Sequence, residues 1–256
     1  MFKNIFAILV ALIPFTLLGQ TPNSKEINNQ IQSWFSINTI TKFSDRWGIV
    51  ADFHIRRDDF IKDPSFYFLR GGITYIPNSL ISITAGYAHM WLAPTNPDWS
   101  TYADENRIYQ QFQMNTKIGT VGVLQRLRNE QRWQEKIEND QVMDEIRFTN
   151  RIRYLASFNI PVSKNNKAPA LILSDEILVH FGKEVVYNTF DQNRFFVGIK
   201  KNINPKFSYD FGYMNVIQQK YSGYQYDINH TLRLFFYLNT AIKSQTPQIQ
   251  PTSGDE

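Results

Sequence analysis

The chain contains no cysteine among its 256 residues. That excludes a disulfide framework, a thiolate metal site and a cysteine nucleophile. It also lacks any run of 18 consecutive apolar residues after residue 20, so no later segment reads as a membrane-spanning helix. If the mature chain enters a membrane, it does so as a closed barrel, the one strand architecture that leaves no edge unpaired. Charge of a single sign is scarce too. Lys and Arg number 27 against 23 Asp and Glu, a net +4 that is too mild to argue for a nucleic-acid partner. No low-complexity linker divides the chain and no helical period of useful length follows residue 20, so a single domain is expected.

What the chain does have is aromatic side chains, 15% of all residues, which favour strands. It opens with a leader pattern. Lys3 supplies the positive start, Ile5 to Leu18 are apolar apart from Pro14 and Thr16, and Gly19-Gln20 precedes a polar stretch. This layout predicts a secretory signal peptide over 1–20, removed after Sec export. Residues 21–29 read as a polar N-terminal segment, 30–239 as the barrel domain, and 240–256 as a disordered tail rich in Gln, Pro and Ser.

Period-2 alternation runs along the rest, the mark of strands with two different faces. From Trp47 to Arg56, one face carries Trp47, Ile49, Ala51, Phe53 and Ile55, the other Gly48, Val50, Asp52, His54 and Arg56. From 145 to 158, Ile146, Phe148, Ile152, Tyr154 and Phe158 oppose Glu145, Arg147, Thr149, Arg151 and Arg153. The stretch 121–133 repeats the pattern with Arg126, Arg128, Glu130 and Arg132 on its polar face. Further strands are expected near 30–41, 65–77, 80–91, 105–116, 169–181, 191–203, 206–218 and 226–238. Short connections alternate with longer polar ones at 57–64, 92–104, 134–143, 182–190 and 219–225, the habit of outer-membrane barrels.

The alternation suits a soluble sandwich as well as a membrane barrel. Two features favour the membrane. Aromatics gather near strand ends, as at Trp47, Tyr75, Trp91 and Trp133. The polar face carries Arg, which pairs in fixed geometry, whereas Lys sits in connections such as Lys117, Lys164 and Lys167. The expected fold is therefore all-β, an antiparallel transmembrane barrel of 10–12 strands. Eleven alternating segments are visible, but bacterial single-chain barrels have even counts, and a span of roughly 20 residues per strand with its loop favours twelve.

Several residues carry a resemblance: Trp34, the run Arg126-x-Arg128-x-Glu130-x-Arg132, the cluster Arg147, Arg151 and Arg153, Glu176, Asn193-Arg194 followed by Gly198, and Gly86-Tyr87. By these the chain resembles the uncharacterised Bacteroidetes outer-membrane β-barrel family catalogued as domain of unknown function 2490, over roughly residues 30–237. The resemblance implies a barrel and an envelope location. It brings no established activity and no functional residues.

The candidate site is a lumen charge network of Arg126, Arg128, Glu130, Arg132, Glu145, Arg147, Arg151, Arg153, Glu176 and Arg194. Read structurally, it is a ladder of bidentate ion pairs filling a narrow lumen. Read functionally, it is a basic constriction that attracts anions, since inward Arg exceed the inward acids Asp52, Glu105, Glu130, Glu145, Glu176 and Asp210. No catalytic set is expected. Ser82 and His89 stand about 23 Å apart on opposite faces of one strand, and no Gly-x-Ser-x-Gly elbow occurs. No metal site and no cofactor are expected. The acidic residues Asp58, Asp59 and Asp63 read as a solvated loop, and Gly71-Gly72 as a bend or bulge. The expected role is a narrow passive pore or binding barrel in the cell outer membrane, with outer-membrane lipid and small anionic solutes as partners. The alternatives are a plugged structural barrel that binds through its outer loops and, third, a lipid-modifying barrel enzyme.

Overall fold

In the computed structural model, which describes residues 24–163 and 168–242, every alternating segment is a strand. They are β1 Glu26–Lys42, β2 Trp47–Asp58, β3 Asp63–Tyr75, β4 Ile81–Leu92, β5 Ala103–Ile118, β6 Val121–Glu138, β7 Gln141–Pro161, β8 Ala170–Phe181, β9 Phe190–Asn204, β10 Phe207–Gln219 and β11 Gln225–Ala241. Each pairs antiparallel with its sequence neighbour, and the sheet closes on itself through β1 and β11. The expected leader over 1–20 lies outside the described residues, as does most of the expected tail.

The closure corrects the strand count. Among the described residues there are eleven strands, not twelve, and the barrel is not wholly antiparallel. An odd number of alternating strands makes the first and last run the same way. Only a parallel ladder can then close the seam. β1 and β11 form that ladder from Glu26↔Gln225 to Lys42↔Ala241. The same seam corrects the N-terminal boundary. Residues 26–29 belong to β1, because β11 supplies their backbone partners and Asn28 donates to Asp227 at 3.4 Å.

The faces follow the alternation in the sequence. Ile49 and Phe53 on β2, Leu69 and Ile73 on β3, Ile108 and Phe112 on β5, and Ile146 and Ile152 on β7 are all exposed on the outer face; Leu69 is 51% exposed. Their neighbours on the opposite face turn into the lumen, so the buried residues are largely charged and polar. Outer aromatics gather toward both rims. Trp47 and Tyr75 lie 4.9 Å apart near the short turns, and Trp133 and Phe148 lie 5.2 Å apart near the other rim.

Two glycine pairs leave room on the inner wall for aromatic rings. Gly72 faces Gly86 across β3 and β4, and Gly198 faces Gly212 across β9 and β10. Tyr109 covers both glycines of the first pair, and Phe196 covers Gly198 of the second. A Cβ on Gly72 would stand 2.6 Å from the Tyr109 Oη and 2.7 Å from the Ala85 carbonyl oxygen. The lack of a side chain at Gly72 is thus a packing requirement, and both ladders run through Gly71-Gly72 in unbroken register, without the bulge that is one expectation there.

One rim differs from the expected loops. The stretch 134–143 is not a long loop. β6 and β7 continue to a two-residue turn at Asn139-Asp140, whose φ angles of +50° and +60° suit the twist of a tight hairpin. This hairpin stands above the wall, since β7 meets β8 only from Asn150 onward. Its tip holds the β4–β5 loop. The Asp140 carboxylate accepts from the Ser100 and Thr101 backbone N–H groups at 2.8 and 2.7 Å, and the Thr101 hydroxyl donates to the Asp140 carbonyl at 2.6 Å. These bonds, that from the Thr101 backbone foremost, hold the Asp140 carboxyl below the usual aspartate range. A depressed pKa means that the pinning is fully present above the ordinary aspartate value, about 3.9, and fades as pH falls through the lowered one. Asp140→Ala is expected to raise proteolysis within 93–102 at neutral pH while leaving the barrel folded. Unchanged cleavage of that loop would refute the latch.

Candidate functional site

Strand parity and barrel curvature bring eight of the ten expected network residues together. Glu130 on β6 is its hub, 3% exposed. It accepts from Arg151 Nε at 2.8 Å and from Arg153 at 2.9 Å, and Arg128 and Arg107 stand at 3.6 and 3.8 Å. Glu176 on β8 is a second hub. Arg153 donates to both of its oxygens at 2.8 Å, Arg126 donates at 2.7 Å, and Arg194 approaches at 3.4 Å. Arg153 therefore ties β6 to β8 by bonding both carboxylates. The Arg128 guanidinium also donates twice to the Gln111 side-chain oxygen.

Sequence reasoning placed Glu105 on the inner face but outside the network. It is a third hub, 1% exposed. Arg132 forks onto its two oxygens at 2.6 and 2.9 Å, and Arg107 bonds it from two residues along β5. The spacing Glu105-x-Arg107 was the available signal, since it repeats the parity of the Arg126–Arg132 run. Asp191 and His180 were missed altogether. Asp191 accepts from Arg151 at 2.9 Å and lies 3.1 Å from His180 Nε2, and Arg132 lies 2.6 Å from the same nitrogen. These residues end β8 and begin β9 on either side of a loop, so only the closed wall shows that they converge.

Two expected members stand outside the ion-pair lattice, Arg147 lining the cavity mouth and Glu145 exposed above it. Glu145 is 74% exposed and pairs with Lys136 at 2.6 Å on the free-standing hairpin. Its inward parity leads nowhere because the wall ends below it. Arg147 stacks on the Tyr221 ring, 3.9 Å from its centroid, and the Tyr221 hydroxyl donates to Gln134 at 3.3 Å. The β10–β11 loop thus meets the β6–β7 hairpin at the rim.

Two further pairs add to the inner charge: Arg70 with Asp52, and Arg233 with Asp210 at 2.9 Å. The lattice leaves a cavity of about 1570 Å³ whose lining reaches from Lys62 at one rim to Asn239 near the other. Among the described residues, the cavity is lined by eleven arginines, including Arg56 and Arg147, and four lysines, against nine acids, with Glu130 buried beside it. Part of that lining is apolar. Trp34, Ile172, Phe196, Met214 and Val216 form one inner cluster, and Phe68, Ala88 and Met90 another.

Among the described residues no group of three or more His, Asp or Glu side chains is placed to hold a metal ion. In the expected acidic loop, Asp58 accepts from Gln32 at 2.7 Å and Asp59 pairs with Lys62 at 3.5 Å. His89 points outward, within 2.9 Å of the Asn106 side-chain oxygen, and lies on the face opposite Ser82.

A closed β-barrel with charged residues within and apolar residues without defines the class. Within it, the chain belongs to the family described as "Protein of unknown function (DUF2490)", whose model matches residues 31–227. No curated protein matches the chain.

Proposed function

We propose that this protein is an outer-membrane β-barrel with a narrow lumen that admits or binds small anions. The observation that carries the membrane assignment is the inverted polarity of the wall. A soluble barrel buries its apolar face, whereas here Ile49, Leu69, Ile73 and Ile108 face outward while Glu105, Glu130 and Arg151 are nearly inaccessible. A continuous apolar outer band is costly in water and favourable in lipid. The anion preference is supported by the excess of Arg and Lys over Asp and Glu in the cavity lining. Electrophoresis of unboiled and boiled membrane extracts tests the membrane part. A compact, heat-modifiable form is expected in the membrane fraction, and a mature protein found wholly in the aqueous fraction would overturn it. Purified protein in planar bilayers tests the rest. Small steps with a reversal potential displaced toward the anion are expected across a salt gradient. Cation selectivity would refute the anion reading.

The density of the lattice favours a second reading, a plugged barrel that acts through its rim. Its expectation is silence in the bilayer together with retained heat-modifiability. The free-standing β6–β7 hairpin and the loops it holds would then be the binding surface.

A further inference from the structure

Of the arginines that line the cavity, all but two have a carboxylate or amide acceptor; the exceptions are Arg147, stacked on Tyr221 at the rim, and Arg56, on β2, which lies deeper. Among the described residues no acceptor reaches its guanidinium; Arg126 and Arg233 share with it a buried, unpartnered Nε, but each donates to a carboxylate through another nitrogen, which Arg56 does not. The group lies instead between two rings, 3.2 Å from the Trp34 centroid and 4.3 Å from that of Phe66. The largest charge effects on it come from other cations, Arg194, Arg153, Arg107 and Arg151. Two residues along the strand, His54 also has a buried nitrogen, Nε2, without a partner, and its ring lies edge-on to Phe68 and Phe235. Aromatic faces can stabilise a cation but give its N–H groups no acceptor. A structural ion-pair lattice has no use for such an arginine, because an uncompensated inner charge is costly. An incoming anion would give the guanidinium its acceptor, and would also accept from His54 in the tautomer that carries the proton on Nε2.

The neighbourhood also selects the kind of anion. Trp34 belongs to one inner apolar cluster and Phe66 packs against the other, so Arg56 sits where the two meet. Apolar side chains inside an otherwise charged lumen gain nothing from water. They would cover the apolar body of a ligand whose charged end lies on Arg56. Arg56 is two residues from the end of β2, close to the rim that carries loop 59–62, so a solute entering from that mouth meets it early.

We propose that Arg56, with Trp34, Phe66 and His54, forms a binding site for small organic carboxylates with an apolar body, the carboxylate on the guanidinium and the body against the inner aromatic clusters. This rests on the reading of the lumen as accessible to anions and names the ligand class of that lumen. The guanidinium fork matches a carboxylate in two parallel hydrogen bonds.

The test uses the full mature chain in lipid nanodiscs, with empty nanodiscs as the blank, and titrates acetate, butyrate, hexanoate, benzoate and chloride by calorimetry. Affinity is expected to rise along the aliphatic series, by up to about fourfold for each buried methylene, with benzoate well above acetate and chloride weakest. Arg56→Gln is expected to weaken hexanoate and benzoate by about ten- to a hundredfold. Phe66→Ala is expected to flatten the chain-length series. Absence of carboxylate binding by folded, heat-modifiable wild type would overturn the proposal and leave the membrane barrel standing. A series flat in chain length would overturn it as well, and this arm needs no variant to fold. Binding unchanged in folded Arg56→Gln would place the ligand elsewhere and refute the site. Failure of the wild type to show a heat-modifiable form would instead refute the parent reading.

Discussion

Arg151→Glu is expected to abolish the compact barrel, while Lys117→Glu leaves it intact. Arg151 is 3% exposed and bonds two acids at once, Glu130 and Asp191. Reversing its charge would set three carboxylates together where little water reaches them. Removing one partner of a buried pair costs about 3–5 kcal/mol, and the added like charge increases that. Lys117 is exposed at the end of β5, so its reversal should stay within about 0.5 kcal/mol. Arg151→Met should fall between them, because Glu130 would keep Arg153 at 2.9 Å whereas Asp191 would lose its guanidinium partner. Loss of the heat-modifiable band in folding reactions, and the temperature at which the band disappears, measure all three. Equal midpoints for Arg151→Glu and Lys117→Glu would contradict the placement of Arg151 in the lattice.

Gly86→Val is expected to be as damaging, for a reason that has nothing to do with charge. A Cβ at Gly86 would stand 2.7 Å from Gly72 Cα and 2.8 Å from Tyr109 Cε1, and would press still harder on the Gly71 carbonyl oxygen. The obstacle is largely backbone, so no rotamer change relieves it. The wall would have to open at β3–β4, at a cost of about 3 kcal/mol or more. Gly71→Ala is the control. Its Cβ would meet nothing nearer than the Val50 carbonyl oxygen at 4.0 Å. Folding yield into lipid vesicles should collapse for Gly86→Val and hold for Gly71→Ala. Equal yields would show that the close packing at the ring-covered glycine pair is not required there.

The strands were legible because alternation is a local property. Each residue's face follows from its neighbours two positions away, so Trp47 to Arg56 and Glu145 to Phe158 could be sorted before any partner strand was known. Pairing with the sequence neighbour followed from the short turns. The inward placement of Arg126, Arg128, Glu130, Arg132, Arg151 and Arg153 came with the same parity.

Three things lay beyond that local rule. The first is how far the wall extends. Glu145 and Arg147 obey inward parity, yet they sit where β7 has no β8 beside it, so Glu145 stands exposed and Arg147 lines only the mouth of the cavity, outside the ion-pair lattice. The second is convergence across the lumen. His180 and Asp191 are separated by a loop, and Arg132 and Arg151 reach them from β6 and β7 only because curvature turns these strands toward one another. The third is the seam. Eleven strands were visible in the sequence, and a general expectation of even counts argued against that number. The sequence determined the strands and their faces, because side-chain alternation is written residue by residue. Only the tertiary structure decided that β1 lies parallel to β11, because the closing ladder joins segments about 200 residues apart and leaves no periodic trace in either.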